Sequence, residues 1–108
     1  MDKNTLEKMA VTAFANQQAA RSELFSCAEK AIYFAMNLEV AKASATTAGV
    51  FDGKNAETRE AQAREHLAQE YTDLAVAQNA ERKARHDFDK ASIEVDTVKT
   101  LLRIAELP

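Results

Sequence analysis

The sequence predicts an all-α fold: a long antiparallel helical hairpin, coiled-coil-like, that assembles into a helical-bundle oligomer. Three observations predict it. Apolar residues recur at alternating steps of four and three along most of the chain, the spacing of a helical seam and not of a strand. Gly occurs twice and Pro once in 108 residues, so little in the composition interrupts a helix. The interruption that does exist is confined to residues 44–54, SATTAGVFDGK, which divides the chain into two helical limbs. The whole of 1–108 is expected to form a single helical-hairpin domain.

The first helix is predicted over residues 4–45. Asn4 offers a capping side chain, and Glu7 three positions later can answer the orphan amides of the first turn. The seam then runs Leu6, Ala10, Ala13, Gln17, Ala20, Leu24, Cys27, Ala31, Phe34, Leu38 and Ala41, and all but Gln17 are apolar. This helix carries a second apolar face. Val11, Phe14, Phe25, Ile32 and Met36 lie off the seam, and Tyr33 and Val40 widen the stripe. One antiparallel neighbour needs one seam, so the excess is covered either by a bend or third short helix, or by self-association of first helices.

The loop is predicted over 46–54. Gly49 and Asp52-Gly53 break the pattern, and Gly53 suits a left-handed or turn conformation. Val50 and Phe51 either tuck over the hairpin end or form a partner-binding tip. The second helix is predicted without a break over 55–107. Asn55 caps it, and Glu57 and Glu60 sit where the helix dipole favours negative charge. Its seam is Ala63, Leu67, Glu70, Leu74, Ala77, Glu81, Ala84, Phe88, Ala91, Val95, Val98, Leu102 and Ala105. Glu70 and Glu81 either fix the register or mark where the helices diverge. Residues 1–50 carry five Lys/Arg and five Asp/Glu, while 51–108 carry nine and twelve, so the first helix is expected to be the more buried.

The net charge of −3 gives no general polyanion-binding surface. A single cysteine, Cys27, forbids an intrachain disulfide and fits a reducing compartment. The N-terminus lacks the apolar core of a signal peptide, and no run approaches the roughly 20 apolar residues of a membrane span. A cytoplasmic protein with no membrane partner is expected.

No catalytic residue, cofactor site or metal site emerges. Cys27 sits in the seam as a small apolar residue, with no activating base nearby. His66 and His86 are twenty positions apart on one helix, about 30 Å along its axis, and cannot share a metal within a chain. The Glu-x-x-His pair of a di-metal bundle is missing, since Ala63 and Lys83 stand three before the histidines. Glu60, Glu65, Glu70 and Asp73 read as a solvated, ion-paired face. Arg82, Lys83 and Arg85 form the strongest nucleic-acid candidate, diluted by Glu81, Asp87 and Asp89.

The run Asp52-Gly53-Lys54-Asn55-Ala56-Glu57-Thr58-Arg59, followed by a charged helix ending Val98-Lys99-Thr100-Leu101-Leu102-Arg103-Ile104-Ala105-Glu106-Leu107, resembles a group of small proteins of tailed bacteriophages and prophages. Those share a Gly-Lys-Asn-Ala-Glu-x-Arg turn and an apolar C-terminal helix. The resemblance covers roughly the second half of the chain. It implies a phage or prophage origin, the cytoplasm of a host bacterium, and an accessory role in phage DNA replication or recombination. It assigns no activity to any residue. The expected role is therefore a non-enzymatic protein-binding factor, a homo-oligomer engaging a phage or host protein. The alternatives are a stoichiometric inhibitor of a host defence enzyme, of the anti-CRISPR type, and a weak nucleic-acid-binding oligomer.

Overall fold

A computed structural model describes residues 2–108. The fold is an all-α helical hairpin. Helix α1 spans Lys3–Thr47, and the chain returns through α2, Ala56–His66, and α3, Ala68–Ala105. Two compact units are built on this hairpin. One joins the N-terminal part of α1, up to Ser26, to Arg82–Pro108, and the other is Cys27–Glu81.

In the first unit Ala13, Val95 and Val98 form a buried cluster, with Ala10 and Leu102 packed against it. Gln17 Nε2 donates to Ser92 Oγ at 3.2 Å across the same pair of helices. Partners fall in number on α3 as they rise on α1, so the two helices run antiparallel. In the second unit Cys27, Ala31, Leu38 and Ala45 of α1 are buried, as are Ala63, Leu67 and Ala77 on the return limb. Every buried residue among those described lies on one of the two predicted seams or on Ala45, the next step of the first. Ala105 alone among the seam positions is exposed. Seven of the thirteen buried residues are alanines, which bring helix axes close together.

The start of α1 differs from the expectation. Asp2, not Asn4, caps it: the Thr5 N–H donates to Asp2 Oδ1 at 2.7 Å and the Leu6 N–H to Asp2 O at 3.1 Å. Donation from the Thr5 amide holds the Asp2 carboxyl below its ordinary pKa. α1 ends at Thr47, two residues past the 4–45 span and at the far limit of the expected end between Ala43 and Thr47. Thr46 and Thr47, inside the predicted loop, turn their hydroxyls back onto the carbonyls of Lys42 and Ala43, at 2.8 and 3.0 Å. The helix then closes in a Schellman motif. Gly49 takes φ +75°, its N–H donates to Thr46 O at 3.1 Å, and the Val50 N–H donates to Ala45 O at 3.0 Å.

The left-handed position is thus Gly49, not Gly53. Gly53 is required for space instead. A Cβ there would lie 2.7 Å from Thr58 Cγ2 and 3.0 Å from the Arg59 amide nitrogen. Around it the turn is cross-braced. The Gly53 N–H donates to Gln62 Oε1 at 2.9 Å, Arg59 Nη1 donates to Gly53 O at 3.1 Å, and Gln62 Nε2 donates to Asp52 Oδ1 at 2.7 Å. Asn55 caps α2 as expected, its side chain accepting the Thr58 N–H at 2.8 Å.

The expected unbroken second helix is interrupted at Leu67, where φ −110° and ψ +34° depart from helical values. The ladder is still carried through this residue, by Leu67 N–H to Ala63 O at 2.8 Å and Tyr71 N–H to Leu67 O at 3.0 Å. No Gly or Pro marks the break. Its geometric consequence is clear in Tyr71, whose hydroxyl donates to Glu60 Oε1 at 2.8 Å. Eleven residues of straight helix would separate these two by about 16 Å along the axis, farther than both side chains reach together. The limb must bend for them to meet.

The first helix is not the more buried one within a single chain. Among the described residues six buried ones lie on α1 and seven on the return limb, counting Leu67 between α2 and α3, and α1 leaves its second apolar face in water.

Candidate functional site

The off-seam apolar residues of α1 are the most distinctive surface feature. In the first unit Val11 is 71% exposed, Phe25 66%, and Phe14 43% with the Lys99 ammonium over its ring at 5.5 Å. In the second unit Ile32 and Met36 are 61% and 63% exposed, flanked by exposed Tyr33 and Val40. Ile32, Ala35, Met36, Glu39 and Val40 line an open groove of about 420 Å³. Spacings of four between Ile32, Met36 and Val40 make a continuous ridge of the kind that packs into another helix. All five residues predicted for self-association are therefore exposed, Phe14 the least, with Lys99 of α3 over its ring. Val76 and Ile93 on α3 are also exposed. Both lie off the α3 seam, Val76 within the run Leu74-Ala75-Val76-Ala77 and Ile93 between Ser92 and Glu94.

The loop tip divides. Phe51 is half-buried and meets the His66 ring edge-on, with centroids 6.0 Å apart and planes at 81°, whereas Val50 stays exposed. Both line an open groove of about 440 Å³ with Gln62, Glu65 and His66. Arg82, Lys83 and Arg85 are all exposed on α3.

Of the four carboxylates expected on a solvated face, Glu60 is the centre of a polar cluster. It accepts from Tyr71, faces Lys42 Nζ at 3.4 Å and Arg64 Nε at 3.6 Å. The Arg64 guanidinium lies over the Tyr71 ring at 4.8 Å. The Tyr71 hydrogen bond, followed by the Lys42 contact, lowers the Glu60 pKa below its ordinary 4.5, and Lys42 is raised above 10.5, chiefly by Tyr71. The Glu60–Arg64 pair is readable from its spacing. Tyr71 and Lys42 are not, because they reach Glu60 only through the bend and the hairpin. Asp73 is bound by Gln69 at 2.7 Å.

Cys27 is buried in the seam. His66 and His86 are both exposed. Among the described residues no group of three or more His, Cys, Asp or Glu is placed to hold a metal, and no helix is long and apolar enough to cross a membrane. No protein-family model, curated protein or solved structure matches this chain.

Proposed function

We propose that this chain is a non-enzymatic protein-binding factor whose docking surface is the second apolar face of α1. The observation that carries this reading is the exposure of Ile32 and Met36, at 61% and 63%, on a ridge beside a groove lined by Ala35 and Val40. Removing apolar area from water is worth about 25 cal/mol per Å². A surface of this kind lowers its free energy by finding a second protein, and a helix ridge is matched by a helical partner. The resemblance of the 52–59 turn and the C-terminal helix to small phage and prophage proteins directs the search for that partner. It points to proteins of phage DNA replication or recombination. The turn itself has a structural task, since Gly53, Asn55 and Arg59 all serve to close and cap the loop.

The test is capture of partners by the tagged chain from phage-infected bacteria, beside an Ile32→Asp/Met36→Asp variant whose helicity is verified by circular dichroism. Enrichment of a replication or recombination protein by the wild type, lost in the variant, is the expected result. Equal recovery by both removes α1 as the docking surface.

A further inference from the structure

We infer that the partner element seated on the Ile32–Met36–Val40 ridge is a basic amphipathic helix, its Lys or Arg side chains paired with Glu29 and Glu39. The inference rests on the docking reading above and deepens it by naming the chemistry of the partner. The whole surface lies within the second unit, Cys27–Glu81. α1 is one uninterrupted helix there, so its period fixes which residues share a face. At about 100° per residue, Ile32, Tyr33 and Val40 fall within roughly 60° of Met36, and so do Glu29 and Glu39.

The two carboxylates flank the ridge on opposite sides, one near each end. Glu29 stands one position past Ala28, the preceding step of the ridge, and Glu39 one position before Val40. They are about 15 Å apart along the axis. Glu39 itself lines the groove of about 420 Å³ beside Ile32, Ala35, Met36 and Val40. Both glutamates are exposed, and among the described residues neither is ion-paired. No base shares the face to offset them. The nearest on α1, Lys30 and Lys42, stand six residues to either side of Met36, about 120° around the helix in opposite directions. Lys42 is turned to Glu60 at 3.4 Å.

This combination narrows the occupant. An apolar ridge asks for an apolar stripe, and a helix supplies one at the same four-residue spacing. Met36, at the centre, adapts its unbranched thioether to the shape it meets. Negative charge on both flanks repels the phosphates of nucleic acid and the headgroups of anionic lipid. The same face of a second copy would bring further carboxylates and no base. A helix whose Lys or Arg residues border its own apolar stripe takes the ridge out of water and neutralises both glutamates.

The experiment measures binding of the full chain to synthetic amphipathic helical peptides that share one leucine stripe and carry flanks of all Lys, all Gln or all Glu. Fluorescence anisotropy is read at low and high salt, with the helicity of each variant verified by circular dichroism. At low salt the Lys-flanked peptide is expected to bind about tenfold tighter than the Gln-flanked one, with the Glu-flanked one weakest. Added salt narrows the gap. Glu29→Gln/Glu39→Gln is expected to erase the preference, and Glu29→Lys/Glu39→Lys to reverse it. Ile32→Asp/Met36→Asp adds negative charge but removes the ridge, and is expected to lose all three peptides. A Lys-flanked peptide that still binds this last variant as tightly is held by general charge, which overturns the inference. Equal binding of the three by the wild type, lost in Ile32→Asp/Met36→Asp, overturns the basic partner while leaving the face as a helix-docking surface. A wild type that binds none of them, or that pairs with itself through this face in sedimentation equilibrium, also overturns the inference. Partner capture from infected cells then decides the docking reading separately.

Discussion

Gly53→Ala is a substitution whose sign discriminates between two physical effects. Gly53 does not occupy the left-handed region, so its backbone conformation admits alanine. Were conformation the whole matter, the change would stabilise the fold by about 0.4–1 kcal/mol, by restricting the unfolded chain. The structure places other atoms in the way. The new Cβ would sit 2.7 Å from Thr58 Cγ2, 2.9 Å from Thr58 Cβ and 3.0 Å from the Arg59 amide nitrogen. All three belong to the first turn of α2, and two of them, Thr58 Cβ and the Arg59 nitrogen, are held by its backbone, so the loop must move away. That motion strains the Gly53–Gln62 and Arg59–Gly53 hydrogen bonds, and overpacking of this kind costs about 1–3 kcal/mol. Urea denaturation at one fixed protein concentration measures the difference. Gly53→Ala is expected to lower stability by about 1–3 kcal/mol. Adding Thr58→Ser removes only the nearest atom and recovers less than half of the loss. A Gly53→Ala variant as stable as the wild type, or more so, would refute the steric account.

Other substitutions test the remaining framework. Gly49→Ala meets open space but an unfavourable φ, so it should cost about 1–2 kcal/mol, while Gly49→Asn recovers part of it. Asn55→Ala removes the α2 cap and should cost about 1 kcal/mol in the same denaturation assay. Leu67→Ala, at a buried position on the break, should cost about 2–5 kcal/mol. The Glu60 cluster makes stability pH-dependent at the acid end. Because the folded carboxyl titrates below 4.5, its contribution is complete above that pH and is lost as pH falls through the depressed value. Thermal midpoints of wild type and Glu60→Gln should therefore differ at pH 7 and converge well below pH 4.5; a constant gap would remove Glu60 from the titration.

The seams were legible because burial in a two-helix contact is a one-dimensional property. Each position faces the partner or does not, and the four/three steps record which. Leu6, Cys27, Leu38, Val95 and Val98 were thus placed without coordinates. The exposed face of α1 was legible by subtraction, as apolar residues the seam could not use. What escaped the sequence depends on contacts across the turn or the bend. Tyr71 meets Glu60 only because the limb bends at Leu67, and nothing in the local residue types marks that break. Which of the two glycines takes the left-handed conformation was open for a similar reason. A positive φ and a crowded Cβ both demand glycine, and only atomic positions separate Gly49 from Gly53. Asp2 displaced Asn4 as the cap because both residues can accept the required bond, and the chain used the earlier one.

The alanine-lined seam also decides how the chain can change over time. Ala13, Ala31, Ala63, Ala77 and Ala84 are all buried, and small buried residues let helices approach closely. A methyl group there is both the filler and the spacer. Residues that look dispensable by size are therefore the least free to grow, since one added isobutyl group would wedge the limbs apart along several turns. Substitutions should accordingly be better tolerated on the outward faces, where new binding specificities can be tried without disturbing the buried seams.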